Sequence, residues 1–140
     1  MNKGHKTSRV ASRYARIAAR VAADIQHNMD TLNEAVRETK RVPGVDDAEL
    51  YDWEWDGHGG IISVGLPVKE WHEEQFGMVK TPVQFEIRPE MLASRVMSKL
   101  KEMGLKVMKV ILPEEMRGFW GKPKGYDRRE VLFEVVLAGA

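Results

Sequence analysis

Cysteine is absent from the 140-residue sequence, so disulfides, thiolate zinc sites, iron–sulfur clusters and cysteine nucleophiles are excluded. A cysteine-free chain suits a reducing compartment, and we expect a cytoplasmic protein. Long apolar segments are absent as well. The longest, at residues 60–68 and 131–138, are far shorter than the roughly 20 residues that a transmembrane helix needs. The sequence therefore predicts no contact with a membrane.

Acidic residues are missing from the N-terminal part of the chain. The first is Asp24, and six cations precede it: Lys3, Lys6, Arg9, Arg13, Arg16 and Arg20. Residues 24–56 reverse the balance, with ten Asp and Glu against three Lys and Arg. The net charge of +1 thus conceals two regions of opposite sign, a distribution typical of proteins that bind a charged partner.

The chain length and the hydrophobic pattern predict one α+β domain, since domains of about 100–150 residues are the most common. Apolar residues at three- and four-residue steps indicate one long amphipathic helix over residues 8–40, which Pro43 and Gly44 would end. At ~1.5 Å per residue this helix is roughly 50 Å long, too long for a globule whose radius of gyration is ~14 Å. We therefore expect residues 1–20 to project as a basic arm from a domain formed by residues 21–140.

Alternating apolar and polar residues predict five strands, at residues 50–56, 61–66, 83–87, 105–112 and 131–137. A second helix is predicted between the third and fourth strands, with Pro89 as its first residue and Gly104 just after its end. Residues 67–82 and 113–129 are predicted loops. The predicted order is α-β-β-β-α-β-β, with the five strands in one mainly antiparallel sheet.

The arginine row, defined as Arg9, Arg13, Arg16 and Arg20, is the main functional signal. Its spacing of four, three and four places all four side chains on one helix face. Like charges at this spacing destabilise a helix unless an anion neutralises them, and the planar guanidinium group binds phosphate or carboxylate bidentately. The row therefore predicts a surface for nucleic acid or for an acidic protein. The alternatives are a solvated charged face and an organellar presequence, although the apolar pattern continues unbroken to Val36.

A second basic segment at residues 117–129 interleaves five Lys and Arg with three aromatic residues and several glycines. Proteins that bind single strands stack bases on aromatic rings and pair phosphates with Lys and Arg. We expect partner contacts here from seven residues: Arg117, Trp120, Lys122, Lys124, Tyr126, Arg128 and Arg129. A hairpin loop whose Phe119 and Trp120 cover the edge of the core would explain the same composition.

Catalytic patterns are weak. Asp52, Glu54 and Asp56 alternate on a predicted strand and could hold a divalent cation, as carboxylates do in some nucleases. Nothing nearby completes such a site, and a solvent-facing strand face is the favoured explanation. The four histidines show no metal-ligand spacing, and no phosphate-binding loop or dinucleotide motif occurs. We expect no catalytic residue, no metal and no cofactor.

The layout resembles that of small phage-encoded anti-CRISPR proteins, which inhibit Cas nucleases. The resemblance covers most of the chain: the basic arm at residues 3–20, the helix to residue 40, the tryptophan-containing strand at 50–56, and the strand-helix-strand unit at 83–112. It implies binding to an RNA-guided nuclease without chemistry of its own, with the basic arm as the contact surface. The arm departs from the family in its helical pattern, since such arms are often disordered.

These features together predict a non-enzymatic protein that binds nucleic acid or a nucleoprotein complex, such as a viral inhibitor of the anti-CRISPR kind. Two alternatives from other classes stay open. One is a metal-dependent nuclease that uses Asp52, Glu54 and Asp56. The other is an assembly protein, a homo-oligomer whose long helix pairs with a second copy of itself.

Overall fold

A computed structural model describes residues 2–73, 80–113 and 129–138. It confirms the α+β class and the predicted sequence of a long helix, a group of strands, a second helix and two further strands. The elements are α1 (Asn2–Thr39), β1 (Asp47–Trp53), β2 (Gly59–Gly65), β3 (Val68–Glu73), β4 (Lys80–Phe85), α2 (Pro89–Glu102), β5 (Leu105–Ile111) and β6 (Glu130–Leu137).

The main sheet has four antiparallel strands in the order β1-β2-β6-β5, so β1 and β5 are its edges. In the two central strands, β2 and β6, Ile62 lies opposite Phe133 and Val64 opposite Val131. All four side chains are fully buried. Both helices pack on the face that carries these residues, with Leu32 of α1 and Leu92 of α2 in the same core cluster. One core therefore joins the sheet to both helices.

Residues 67–82 differ from the loop that was predicted for them. Val68–Glu73 forms β3, which pairs antiparallel with β4 in a separate two-stranded sheet. Residues 2–73, 80–113 and 129–138 thus contain six strands in two sheets, where the sequence predicts five strands in one. Because β3 and β4 pair with each other outside the main sheet, β3 needs no clear apolar face, and its sequence Val-Lys-Glu-Trp-His-Glu shows none.

Turn chemistry sets the ends of both helices as the sequence predicts. Pro89 is the first residue of α2, a position whose backbone N–H would have no partner within the helix, so proline loses no hydrogen bond there. Gly104 follows the helix with φ of +83°. After α1, Gly44 has φ of +97°, a conformation that favours glycine. None of the helices in the described part of the chain is long and apolar enough to cross a bilayer.

Helix α1 extends well beyond the body. Its 38 residues correspond to a length of about 57 Å at ~1.5 Å per residue. Every residue from 9 to 24 is exposed, and the first fully buried side chain is that of Leu32. The projecting part therefore runs about one turn further than residue 20, the predicted end of the arm.

Candidate nucleic-acid interface

The four arginines of the row lie on the projecting part of α1, and all of them are exposed. Within the described residues, no carboxylate forms an ion pair or a hydrogen bond with any of them. From Arg9 to Arg20 the helix rises about 17 Å, at ~1.5 Å per residue. The row is a line of four positive charges along one helix face, and none of them forms an ion pair within the described residues.

Near the C-terminal end of α1, in contrast, several charges are paired. Arg37 donates from Nε to Glu34 at 2.9 Å, and Glu38 lies 3.2 Å from Arg41 and 3.7 Å from Lys99 of α2. The pair of Glu38 and Lys99 links α1 to α2. The arginine row forms no ion pair within the described residues, although Asp24 lies one turn beyond Arg20. Its charges are therefore available to a partner.

Lys3 and Lys6 also belong to α1, although their side chains lie outside the described part of the structure. Of the second basic segment, Arg117, Trp120, Lys122, Lys124, Tyr126 and Arg128 lie outside the described residues. Arg129 alone is described. Its Nη1 lies 3.5 Å from Asp46 Oδ2, and its backbone carbonyl accepts the Leu66 N–H, so it joins the strand ends of the body.

An apolar stripe accompanies the arginine row, and of its four members the sequence predicts only Val21 to face the core. Val10, Tyr14, Ile17 and Val21 each follow one arginine of the row by one residue, so the stripe is turned about 100° from the row around the helix axis. All four are exposed, and Tyr14 is 69% exposed. The stripe continues the core-facing side of α1 beyond the body, where the described residues do not cover it.

Asp52, Glu54 and Asp56 do not share the strand face that the sequence predicts, because β1 ends at Trp53. Asp52 accepts the N–H of Trp53 at 2.8 Å, and Asp56 lies in the following turn, where it accepts the N–H of His58 at 3.0 Å. Among the described residues, no group of three His, Asp or Glu is placed to hold a metal ion. Asp52 and Asp56 thus accept backbone N–H groups at the end of β1 and in the turn, and the three carboxylates form no metal site.

A second exposed surface, which we name the aromatic edge, consists of residues 51–55. Its members are Tyr51, Asp52, Trp53, Glu54 and Trp55. Tyr51, Trp53 and Trp55 are 54%, 53% and 81% exposed, although large aromatic side chains are usually well buried. The extra residue of a β-bulge between Leu50 and Asp52 lies in this edge. Sequence reasoning assigned the aromatic residues to one face of a strand and gave no reason to expect all three at the surface.

A cavity of about 330 Å³ adjoins the aromatic edge, and three of its lining residues are acidic: Asp52, Glu54 and Glu134. None of the three has an ion-pair partner in the described part of the chain. Trp53 forms part of the same wall. Glu134 has Lys109 directly opposite it on β5, whereas Asp52 and Glu54 have no cation in such a position among the described residues.

Comparison with known proteins identifies no relative of this chain: no family model, curated protein or solved structure matches it.

Proposed function

We propose that this protein binds nucleic acid, without catalysis, through the projecting part of α1. The observation that carries the proposal is the arginine row: four exposed guanidinium groups on one helix face, with no carboxylate partner among the described residues. Repulsion within such a row opposes helix formation, and a bound polyanion removes that repulsion.

The dimensions of the arm suit a duplex. The major groove of B-form DNA is about 12 Å wide and admits an α-helix. A row that rises about 17 Å runs past roughly five nucleotides of one strand at 3.4 Å each. Since arginine binds phosphate oxygens bidentately, successive arginines can contact successive phosphates along the groove wall. Phosphate contacts position a protein and do not read sequence, so the binding should be general.

A narrower form of the proposal is that the nucleic acid belongs to a nucleoprotein complex such as an RNA-guided nuclease, as the resemblance to anti-CRISPR proteins implies. The basic arm would then compete with the nucleic acid of that complex or contact it directly. The test is inhibition of a reconstituted Cas nuclease by the wild-type protein, with a variant in which all four arginines of the row are changed to glutamine as the control.

The salt dependence of duplex binding tests the general proposal. Each phosphate contact contributes about −0.9 to the slope of log affinity against log salt, so four engaged arginines contribute roughly −3 to −4. Changing Arg9, Arg13, Arg16 and Arg20 to glutamine should flatten the slope by that amount and weaken binding to unrelated sequences alike. Fluorescence anisotropy with labelled duplexes over a salt series measures both.

The matched control changes four exposed lysines of the body to glutamine: Lys69, Lys101, Lys106 and Lys109. This variant loses the same formal charge as the arginine variant, so general electrostatic attraction falls equally in both. Its salt slope should stay close to that of the wild type. Equal flattening in the two variants, or no affinity for nucleic acid in the wild type, would reject the arm as the binding surface.

A further inference from the structure

The arm and the aromatic edge have complementary chemistry. On the arm, the arginine row runs beside the exposed stripe of Val10, Tyr14, Ile17 and Val21. On the body, exposed Tyr51, Trp53 and Trp55 alternate with the uncompensated carboxylates of Asp52 and Glu54. Because Asp52 pairs with Ile61 and Trp53 with Gly60, the carboxylate and the indole ring flank the edge of β1 on its two opposite faces. An arm that lies along this edge can contact both kinds of side chain, and its charges are opposite in sign to those of the edge.

We propose that the arm of one copy docks on the aromatic edge of a second copy, and that this contact competes with nucleic acid for the arginine row. In the contact, the stripe packs against the aromatic rings while the arginines reach Asp52 and Glu54. The competition rests on the function proposed above, whereas the docking itself does not.

The occupant is a second copy because α1 passes the edge of its own chain at Asn28 and then runs straight on, so that Tyr14 lies about 21 Å further along the helix at ~1.5 Å per residue. Helix α1 runs without a break or a proline from Asn2 to Thr39, so its stripe cannot fold back towards the body without unwinding. In the same chain, Trp55 stays 81% exposed and Tyr14 69% exposed. A partner in the opposite orientation can supply both missing surfaces at once, and reciprocal docking of two arms closes a two-fold dimer.

Charge and ring chemistry favour this pairing over contact between two arms. An arm against an arm leaves both arginine rows without carboxylates. An arm against the edge gives arginine two kinds of favourable neighbour, because a guanidinium group stacks on an indole ring and pairs with an adjacent carboxylate. The position of β1 at the sheet edge keeps this surface accessible to another molecule.

Sedimentation velocity of the full chain at low salt, without nucleic acid, tests the docking. The wild type should self-associate as concentration rises, and added salt should weaken the association because it includes charge pairs. Changing Trp53 and Trp55 to alanine should weaken it at least about tenfold, the loss typical of truncated interface aromatics. Met108→Ala is the matched control, since Met108 is equally exposed but lies on β5, the opposite edge of the sheet.

Charge-reversal variants test whether the arm and the aromatic edge bind each other. One variant reverses the arm, with Arg9, Arg13, Arg16 and Arg20 changed to glutamate. The other reverses the edge, with Asp52→Lys and Glu54→Lys. Each variant alone should remain monomeric, because its arm and its edge then carry the same sign. Mixing the two should restore dimers, since each arm meets an edge of opposite sign.

Three results would overturn the proposal. They are a wild type that stays monomeric at all concentrations, an association that the two tryptophan changes leave intact, and a mixture of reversed variants that does not dimerise. The second result, combined with loss of association in Tyr14→Glu, would indicate pairing of arm with arm instead.

Competition is measured separately, by adding unlabelled duplex to the self-associated wild type. Release of monomers that carry bound duplex supports competition between the edge and nucleic acid. Duplex bound to intact dimers would show that the two do not compete. If self-association survives but no duplex binds, the proposed function fails and the docking stands. If duplex binds and self-association is absent, only the docking fails.

Discussion

The side-chain amide of Asn28 donates a hydrogen bond to the backbone carbonyl of Asp56, over 3.1 Å. This bond joins α1 to the turn between β1 and β2 at the level where the helix leaves the body. The next residue, Gly57, has φ of +72°, and a Cβ placed there would lie 3.0 Å from Asn28 Cβ and 3.1 Å from the backbone nitrogen of Met29. The turn and the helix are therefore in direct contact, with no room for a side chain.

Replacing Gly57 with alanine should lower the free energy of unfolding by more than the same change at Gly104. Both glycines have positive φ, which costs other residues about 1–2 kcal/mol. At Gly104 a Cβ would meet nothing within 4 Å, so only this conformational cost applies, whereas at Gly57 the contact with α1 adds to it. Urea unfolding of the two variants measures the difference. Equal losses would show that the turn moves away from α1 at little cost.

Deleting residues 1–20 should leave the body folded and abolish binding of nucleic acid. All residues from 9 to 20 are exposed, and the core contribution of α1 comes from Leu32, Ala35 and Val36. The thermal unfolding midpoint of the truncated chain should therefore stay near that of the full chain. Differential scanning calorimetry and duplex titration give the two readouts. An unfolded truncated chain would mean that the arm is structural.

Changing Asp52 to asparagine and Glu54 to glutamine should leave the duplex affinity of dilute protein unchanged, and neither protein should cut the duplex when Mg²⁺ is present. The reason is geometric: Asp52 accepts the Trp53 N–H, and no metal-binding group of three is formed within the described residues. Gel electrophoresis of labelled duplexes measures both the affinity and the cleavage. Mg²⁺-dependent cleavage that the two changes abolish would favour the nuclease alternative.

The glutamine variant of the arginine row should be more helical than the wild type at low salt. Each of the three neighbouring pairs in the row destabilises the helix by about 0.2–0.5 kcal/mol, while glutamine and arginine have similar helix propensities. Far-UV circular dichroism should show the gain at low salt and its loss as salt screens the charges. The four-lysine control should show no change. A drop in helicity instead would mean that the arginines stabilise α1.

Local stereochemistry made some of this fold predictable. The start of α2 follows from Pro89 and its end from Gly104, since each residue determines its own backbone conformation. The pairing of β3 with β4 depends on a partner that is distant in sequence. Its residues carry no strong alternation, so the sequence alone favoured a loop there.

The binding surfaces were predictable only in part, for a related reason. The arginine row is visible in the sequence because spacing and charge are local properties. The exposure of Tyr14 and Val21 is not, because apolar residues keep the same spacing along α1 whether or not the body covers them. Likewise, Trp53 and Trp55 belong to an exposed edge only because β1 is the outermost strand and ends before Trp55.

Because α1 is one unbroken helix, the arm is stiff along its length. A force applied near Arg9 passes along the helix backbone to Asn28, because no proline or break along the way can absorb a bend. The hydrogen bond to Asp56 and the close approach of Gly57 then transmit it to the turn between β1 and β2. A partner that pulls on the tip of the arm therefore strains the edge of the sheet, even though it touches no residue of the body.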